Sequence, residues 1–337
     1  MRGATVAARA PRASGWPTWI GHATTTWSIG YALLAGWWLS SGVLEIRRGS
    51  LTTLLALGSA WLARQLARAT ATGRTSRTAG IVAWGIAATL LLGVPDAQVV
   101  AFLAYIPAFV LGAPFDWPPV EFVEIMSWPV QNQLACVAGG ALWAAAALAH
   151  SRRARGACAA CGRDAVMPAW ATPSAATRWG TASAYVAAGI PLFYAATRLA
   201  WAAGIPLGIT ESFLREGQAL GMWTAGAALA AVAAGGAWLT IGLVRPWGEV
   251  FPRWVPLLHG RRIPPWVAIA PASILSAVFF AAGVDTVGAF VRDGFPAEGW
   301  GTIAPALLWP GWGAALGAAT LAYHLRRRGP CAWCGRD

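Results

Sequence analysis

His150-Ser-Arg-Arg-Ala-Arg-Gly-Ala-Cys158-Ala-Ala-Cys161-Gly-Arg-Asp164 and His324-Leu-Arg-Arg-Arg-Gly-Pro-Cys331-Ala-Trp-Cys334-Gly-Arg-Asp337 are two copies of one motif. Each follows an apolar run, passes through an arginine cluster and closes in Cys-x-x-Cys-Gly-Arg-Asp. A motif that recurs behind two apolar segments predicts a duplicated chain, and the segments between are read on that basis.

Working outward, apolar stretches precede both copies. In the first half they cover Thr24–Val43, Leu51–Leu66, Ala79–Gly93 and Leu134–Ala149; in the second, Ala182–Ala203, Ala219–Val244, Pro265–Ala282 and Ile303–Tyr323. A membrane crossing needs roughly 20 predominantly apolar residues, and the shorter runs gain length where flanking arginines such as Arg64 and Arg68 snorkel to the interface. Of the 337 residues 57% are hydrophobic and 11% charged, with mean hydropathy +0.53. A soluble domain carries about a quarter charged residues. The expectation is an all-α, polytopic integral membrane protein with about eight transmembrane helices in two parallel four-helix repeats. Residues 1–22 form a basic N-terminal stretch, 23–164 the first repeat, 165–179 a linker and 180–337 the second repeat. An even number of spans per repeat makes the copies parallel.

Arginine supplies every basic residue, 25 in all, and the net charge is +12. With both termini and both cysteine motifs in the cytoplasm, only Arg47, Arg48, Arg198, Arg215 and Arg292 fall elsewhere. That is a strong positive-inside bias. Of the 13 acids, only Asp164, Glu249 and Asp337 are then inside. The same bias decides Val99–Gly112, which is apolar, short and interrupted by Pro107. Counting it as a span would invert the first half, so the outer segment 95–132 is expected to be re-entrant or interfacial. Short arginine clusters beside apolar spans point to anionic lipid rather than to nucleic acid. The implied setting is a bacterial plasma membrane, and the lysine-free, Ala/Gly/Trp-rich composition has a high-GC, actinobacterial-like character.

Cys158, Cys161, Cys331 and Cys334 supply four thiolates, the complement of a closed tetrahedral Zn2+ site. A two-residue gap lets both sulfurs of a pair face one ion, and the following glycine permits the tight turn that aims amides at sulfur. Cys-x-x-Cys-Gly-Arg resembles the knuckle of zinc-ribbon proteins, over these two short segments alone. The resemblance implies a structural Zn2+ joining the two halves, with no open position for a substrate. A redox pair, free thiols or two separate sites with His150 and His324 are the competing readings; both histidines also suit a helix C-terminus. Cys136, inside a span, reads as a small apolar residue.

Arg198 lies inside a span, where arginine costs about 2.5–3.5 kcal/mol on insertion scales and takes a partner. Tyr194 and Trp201 flank it at helical spacing, and Glu211, Glu216 and Asp285 are expected on the same outer side. Arg198, Tyr194, Trp201, Glu211 and Asp285 are therefore the candidate substrate-binding residues, for a small or anionic solute or a lipid. A structural ion pair or snorkelling explains the same residues. Glu121 and Glu124, spaced to share a helix face, read as a solvated interfacial face or as paired carboxylates. Many of the 22 tryptophans sit at expected span ends, as an aromatic belt does. The sequence holds no Walker loop, dinucleotide fingerprint, His-Glu-x-x-His or nucleophile elbow. Three functions are compatible: a transporter or permease, a non-catalytic scaffold, sensor or assembly factor, and a membrane enzyme acting on a lipid or quinone.

Overall fold

The computed structural model describes residues 15–42, 46–72, 76–112, 126–164, 167–251, 253, 258–294 and 299–336. Glu121 and Glu124, expected on the outer side, lie outside the described residues. All regular elements described are helical, apart from one isolated bridge between Val250 and Arg262.

The helices are α1 (Trp16–Ser40), α2 (Ile46–Thr72), α3 (Arg77–Leu92), α4 (Ala97–Gly112), α5 (Trp128–Ala154), α6 (Pro173–Ala202), α7 (Glu211–Ala219), α8 (Met222–Gly242), α9 (Pro265–Asp293), α10 (Trp300–Leu307) and α11 (Trp309–Arg326). Helices occupy all eight stretches expected to span. Among the described residues, however, only α5, α8 and α9 are individually long and apolar enough to cross a membrane. A fourth crossing is reached only if the bent pair Arg77–Leu92 and Ala97–Ile106 counts as one broken span; a bent pair is also what a re-entrant segment looks like. Length and composition together explain the shortfall from eight: α3 has only 16 residues, and the last stretch is divided between α10 and α11. α2 carries four arginines, and α1 and α6 dilute their aliphatic content with Thr, Ser, Gly and Trp.

Local signals set the helix ends. Thr172 caps α6, accepting the Ala175 N–H at 3.4 Å, with Pro173 as first helical residue. Thr210 caps α7 in the same way through the Phe213 N–H at 3.3 Å, and Glu211 falls in the first turn, where the helix dipole favours an acid.

The chain forms two compact units. The first comprises the described parts of Met1–Leu90, Ala135–Pro168 and Arg328–Asp337. Its core joins Ala63 and Leu66 of α2, Ala83 and Ala87 of α3, and Trp143 and Ala147 of α5. Small residues bring its helices close: a methyl on Gly139 would fall 2.1 Å from the Trp27 ring, and one on Gly21 would fall 2.7 Å from Ala67. The second unit comprises Leu91–Leu134 and Ala169–Arg327. There Ala184 and Ala187 of α6 pack with Leu316, Ala319 and Tyr323 of α11. Gly313 sits where a side chain would strike the backbone of Ser276 and Phe280, so α9 and α11 approach at that glycine, and the Ser276 hydroxyl donates to the Gly313 carbonyl at 2.7 Å. These units differ from the sequence halves in two places: α4 belongs with the second unit, and the motif that follows α11 belongs with the first.

Exposed apolar faces remain on the helices. Leu33, Leu54, Trp61, Leu239, Trp266 and Val291 are each more than three-fifths exposed. Exposed apolar side chains of this size suit a lipid environment.

Candidate metal centre

All four motif cysteines belong to the first unit. The first pair leaves the end of α5. Arg152, in its last turn, donates from Nη1 to the carbonyls of Ala160 (2.8 Å) and Ala159 (3.2 Å), folding the loop back on its own helix. The Trp16 indole N–H reaches the same Ala160 carbonyl at 3.3 Å, and the Arg152 guanidinium lies 5.9 Å from the Trp16 ring. This knuckle is therefore held by α1 and α5.

The two knuckles have the same backbone. The Cys158 N–H donates to the Arg163 carbonyl at 2.9 Å and the Gly162 N–H to the Cys158 carbonyl at 2.7 Å. In the second copy the Cys331 N–H donates to the Arg336 carbonyl at 2.9 Å and the Gly335 N–H to the Cys331 carbonyl at 2.7 Å. Gly162 and Gly335 have φ of 75° and 71°, the left-handed region where a side chain is strained. The copies also hold each other. Arg163 Nη1 donates to the Arg336 carbonyl at 3.1 Å, and Arg336 Nη1 donates to the Arg163 carbonyl at 3.0 Å. Equivalent residues exchanging equivalent bonds make a self-complementary contact, as across a two-fold axis.

This contact brings the sulfurs together. Cys158 and Cys331 Sγ are 4.0 Å apart, Cys161 and Cys334 Sγ are 3.7 Å apart, and all four lie within 4.8 Å of one another. A zinc tetrathiolate with Zn–S of about 2.3 Å has sulfur–sulfur edges of about 3.8 Å. A disulfide requires about 2.05 Å, and all four cysteines are free. The donor set and spacing thus fit one soft, tetrahedral ion; the identity of that ion is a separate matter.

The thiols are not equivalent. Burial pushes Cys161 up to about 12, against a hydrogen bond from the Arg163 N–H. Burial also raises Cys334, opposed by the Arg336 N–H. For Cys331 the upward push of burial is outweighed by the N–H groups of Cys334 and Trp333, which bring it down to about 7. Of these three thiols Cys331 ionises most readily, and an ion must displace the protons that burial holds on Cys161 and Cys334.

Arg163 and Arg336, which the sequence shows as the Arg of each Cys-Gly-Arg-Asp, join the copies to each other; their recurrence at the same motif position was the available signal. Arg152 and Trp16 carried no comparable mark. The two motif histidines do not enter the cluster. His150 is 3% exposed and lies 2.9 Å from the Ser76 carbonyl, bracing the start of α3.

The outer candidates divide. Arg198 stacks on Tyr194 and Trp201, its neighbours on α6. Glu211 instead pairs with Arg215 at 3.3 Å on α7, and Glu216 and Asp285 are exposed. No protein-family model, no curated protein and no solved structure matches this chain.

Proposed function

We propose that this is a polytopic membrane protein of two parallel four-span repeats, tied at its cytoplasmic face by a structural Zn2+ and acting as a non-catalytic scaffold. The observation that carries this reading is the convergence of four sulfurs from two knuckles 173 residues apart. A four-thiolate site holds its ion without an open position, so its work is to fix structure. The segment it captures follows directly from α11 of the second unit, so a bound ion anchors that segment among helices of the first.

Two further observations support duplication. Helices fall on every stretch where the repeat requires one, and α1 packs on α2 as α6 packs on α8. The self-complementary knuckles are the contact expected of two copies of one ancestral surface. The basic helix ends beside the knuckles suit the anionic inner leaflet, with the lipid bilayer as the protein's main partner. Transport of a small anionic solute rests on Arg198 alone.

The test is metal analysis of the purified, reduced protein. The expected result is one zinc per chain, lost in Cys331→Ser and in Cys158→Ser alike. Half occupancy surviving in both single variants would indicate two independent sites and overturn the clip.

A further inference from the structure

Arg198 lies one turn before the end of α6, in the second unit, and its guanidinium is held by ring faces. The guanidinium carbon is 4.6 Å from the Tyr194 centroid and 4.1 Å from the Trp201 centroid. Neither contact is loose. Trp201 is 2% exposed, donates its indole N–H to the Leu207 carbonyl at 2.9 Å, and meets Trp223 edge-on at 5.1 Å. Trp223 is fixed in turn by its own indole N–H to Leu214 at 2.9 Å. The methylene stem of Arg198 runs past Gly226 of α8, where a methyl would stand 3.8 Å from Cδ.

Aromatic faces attract the cation but do not accept its in-plane N–H groups. Those donors are unused: Nη1 is buried without a hydrogen-bond partner, and among the described residues Arg198 has no ion pair. The carboxylate best placed in sequence, Glu211, is engaged by Arg215. The residue as a whole stays partly exposed and Nη1 is the buried corner of the guanidinium, so an anion approaches along the Nε–Nη2 edge. A planar cation pre-oriented by rigid rings, with its fork unspent, is suited to bidentate contact with a tetrahedral oxyanion.

We propose that Arg198, braced by Tyr194 and Trp201, binds a phosphate oxyanion, supplied by a phospholipid headgroup or by free phosphate. The depth of the site, at the outer end of a span, rests on the polytopic reading above; the phosphate contact rests on the arginine's own geometry.

The full-length protein in neutral detergent is titrated with inorganic phosphate and, separately, with phosphatidylglycerol or the phosphate-free digalactosyl diacylglycerol. Binding is read by thermal shift and by lipid retained in native mass spectrometry. Charge-assisted bonds of this kind predict about tenfold weaker phosphate or phosphatidylglycerol binding in Arg198→Gln. Arg198→Lys, which keeps the charge and loses the fork, is expected to fall between. Retention of phosphatidylglycerol without response to free phosphate assigns a headgroup; the reverse assigns a soluble anion. Helical circular dichroism and the ligand-free unfolding temperature of each variant report whether the fold survives, and neither depends on bound zinc, so failure here is separable from failure of the metal clip. Equal phosphate and phosphatidylglycerol binding by the wild type and both variants, or wild-type retention of the galactolipid as strong as of phosphatidylglycerol, overturns the proposal.

Discussion

The two knuckles share one backbone and differ in how they are held. The first is fastened locally: Arg152 closes it onto α5, and Trp16 adds a bond from α1. The second is fastened largely by the first. Arg163 donates to the carbonyls of Gly329, Arg328 and Arg336, whereas Arg336 returns a single bond, to Arg163. Identical motifs therefore have unequal duties, one as a preformed base and one as the part that docks. The lesson is that a duplicated sequence need not give a symmetric energy.

The sharpest way to break this comparison is to strip the proposed zinc. Structural zinc in small domains is worth about 10–16 kcal/mol in apparent terms. Chelation is expected to release amides 328–336 to rapid hydrogen exchange while the amides of 158–163 keep most of their protection. Equal loss in both knuckles would show that neither is preformed.

Next in size is the arginine pair. Arg163→Ala removes three bonds and Arg336→Ala one, at about 1 kcal/mol each after allowing for partial exposure. Zinc affinity is expected to fall by about a hundredfold in the first variant and by less than tenfold in the second. Equal effects would make the reciprocal exchange, rather than the extra contacts, the main link.

The glycines give a smaller contrast. Both have positive φ, so alanine costs about 1–2 kcal/mol at either position. A methyl on Gly162 would also fall 2.7 Å from Arg152 Nε, whereas Gly335 faces open space. Gly162→Ala is thus expected to lower the unfolding temperature and zinc affinity more than Gly335→Ala.

The mildest probe is pH. Zinc takes thiolates, and Cys161 and Cys334 have raised pKa values in the metal-free cluster while that of Cys331 is lowered to about 7. Binding therefore releases protons, and affinity falls as pH falls, since protons compete for the same sulfurs. The drop should steepen below about pH 7, where Cys331 also becomes protonated; calorimetry in buffers of different ionisation enthalpy measures the proton count. A pH-independent affinity would mean that the sulfurs are not the ligands.

Each Cys-x-x-Cys knuckle was legible because cysteine spacing is a short-range property: two residues between ligands fix the local geometry wherever the loop goes, whereas the meeting of the two knuckles was suggested only by the count of four ligands. The helices were legible for a similar reason, as apolar runs with Pro, Thr and Gly at their ends. Arg198 met Tyr194 and Trp201 as expected because partners on one helix are set by its 3.6-residue period. What depended on distant packing was not legible. Nor did sequence reveal that Glu249 meets both Arg326 and Arg327, at 3.4 and 3.6 Å, and so clamps the end of α11 just before the second knuckle.

The 173-residue separation between matching cysteines also has a consequence in time. At about 5–20 residues per second, a ribosome makes Cys331 roughly 9–35 s after Cys158. Through that interval the first pair stands alone with half a ligand set, open to oxidation or to a wrong partner. The bonds from Arg152 and Trp16 shape the waiting loop before its counterpart exists. Closure of the cluster then reports that everything between the two knuckles has been made, so the proposed zinc would act as a late checkpoint of assembly.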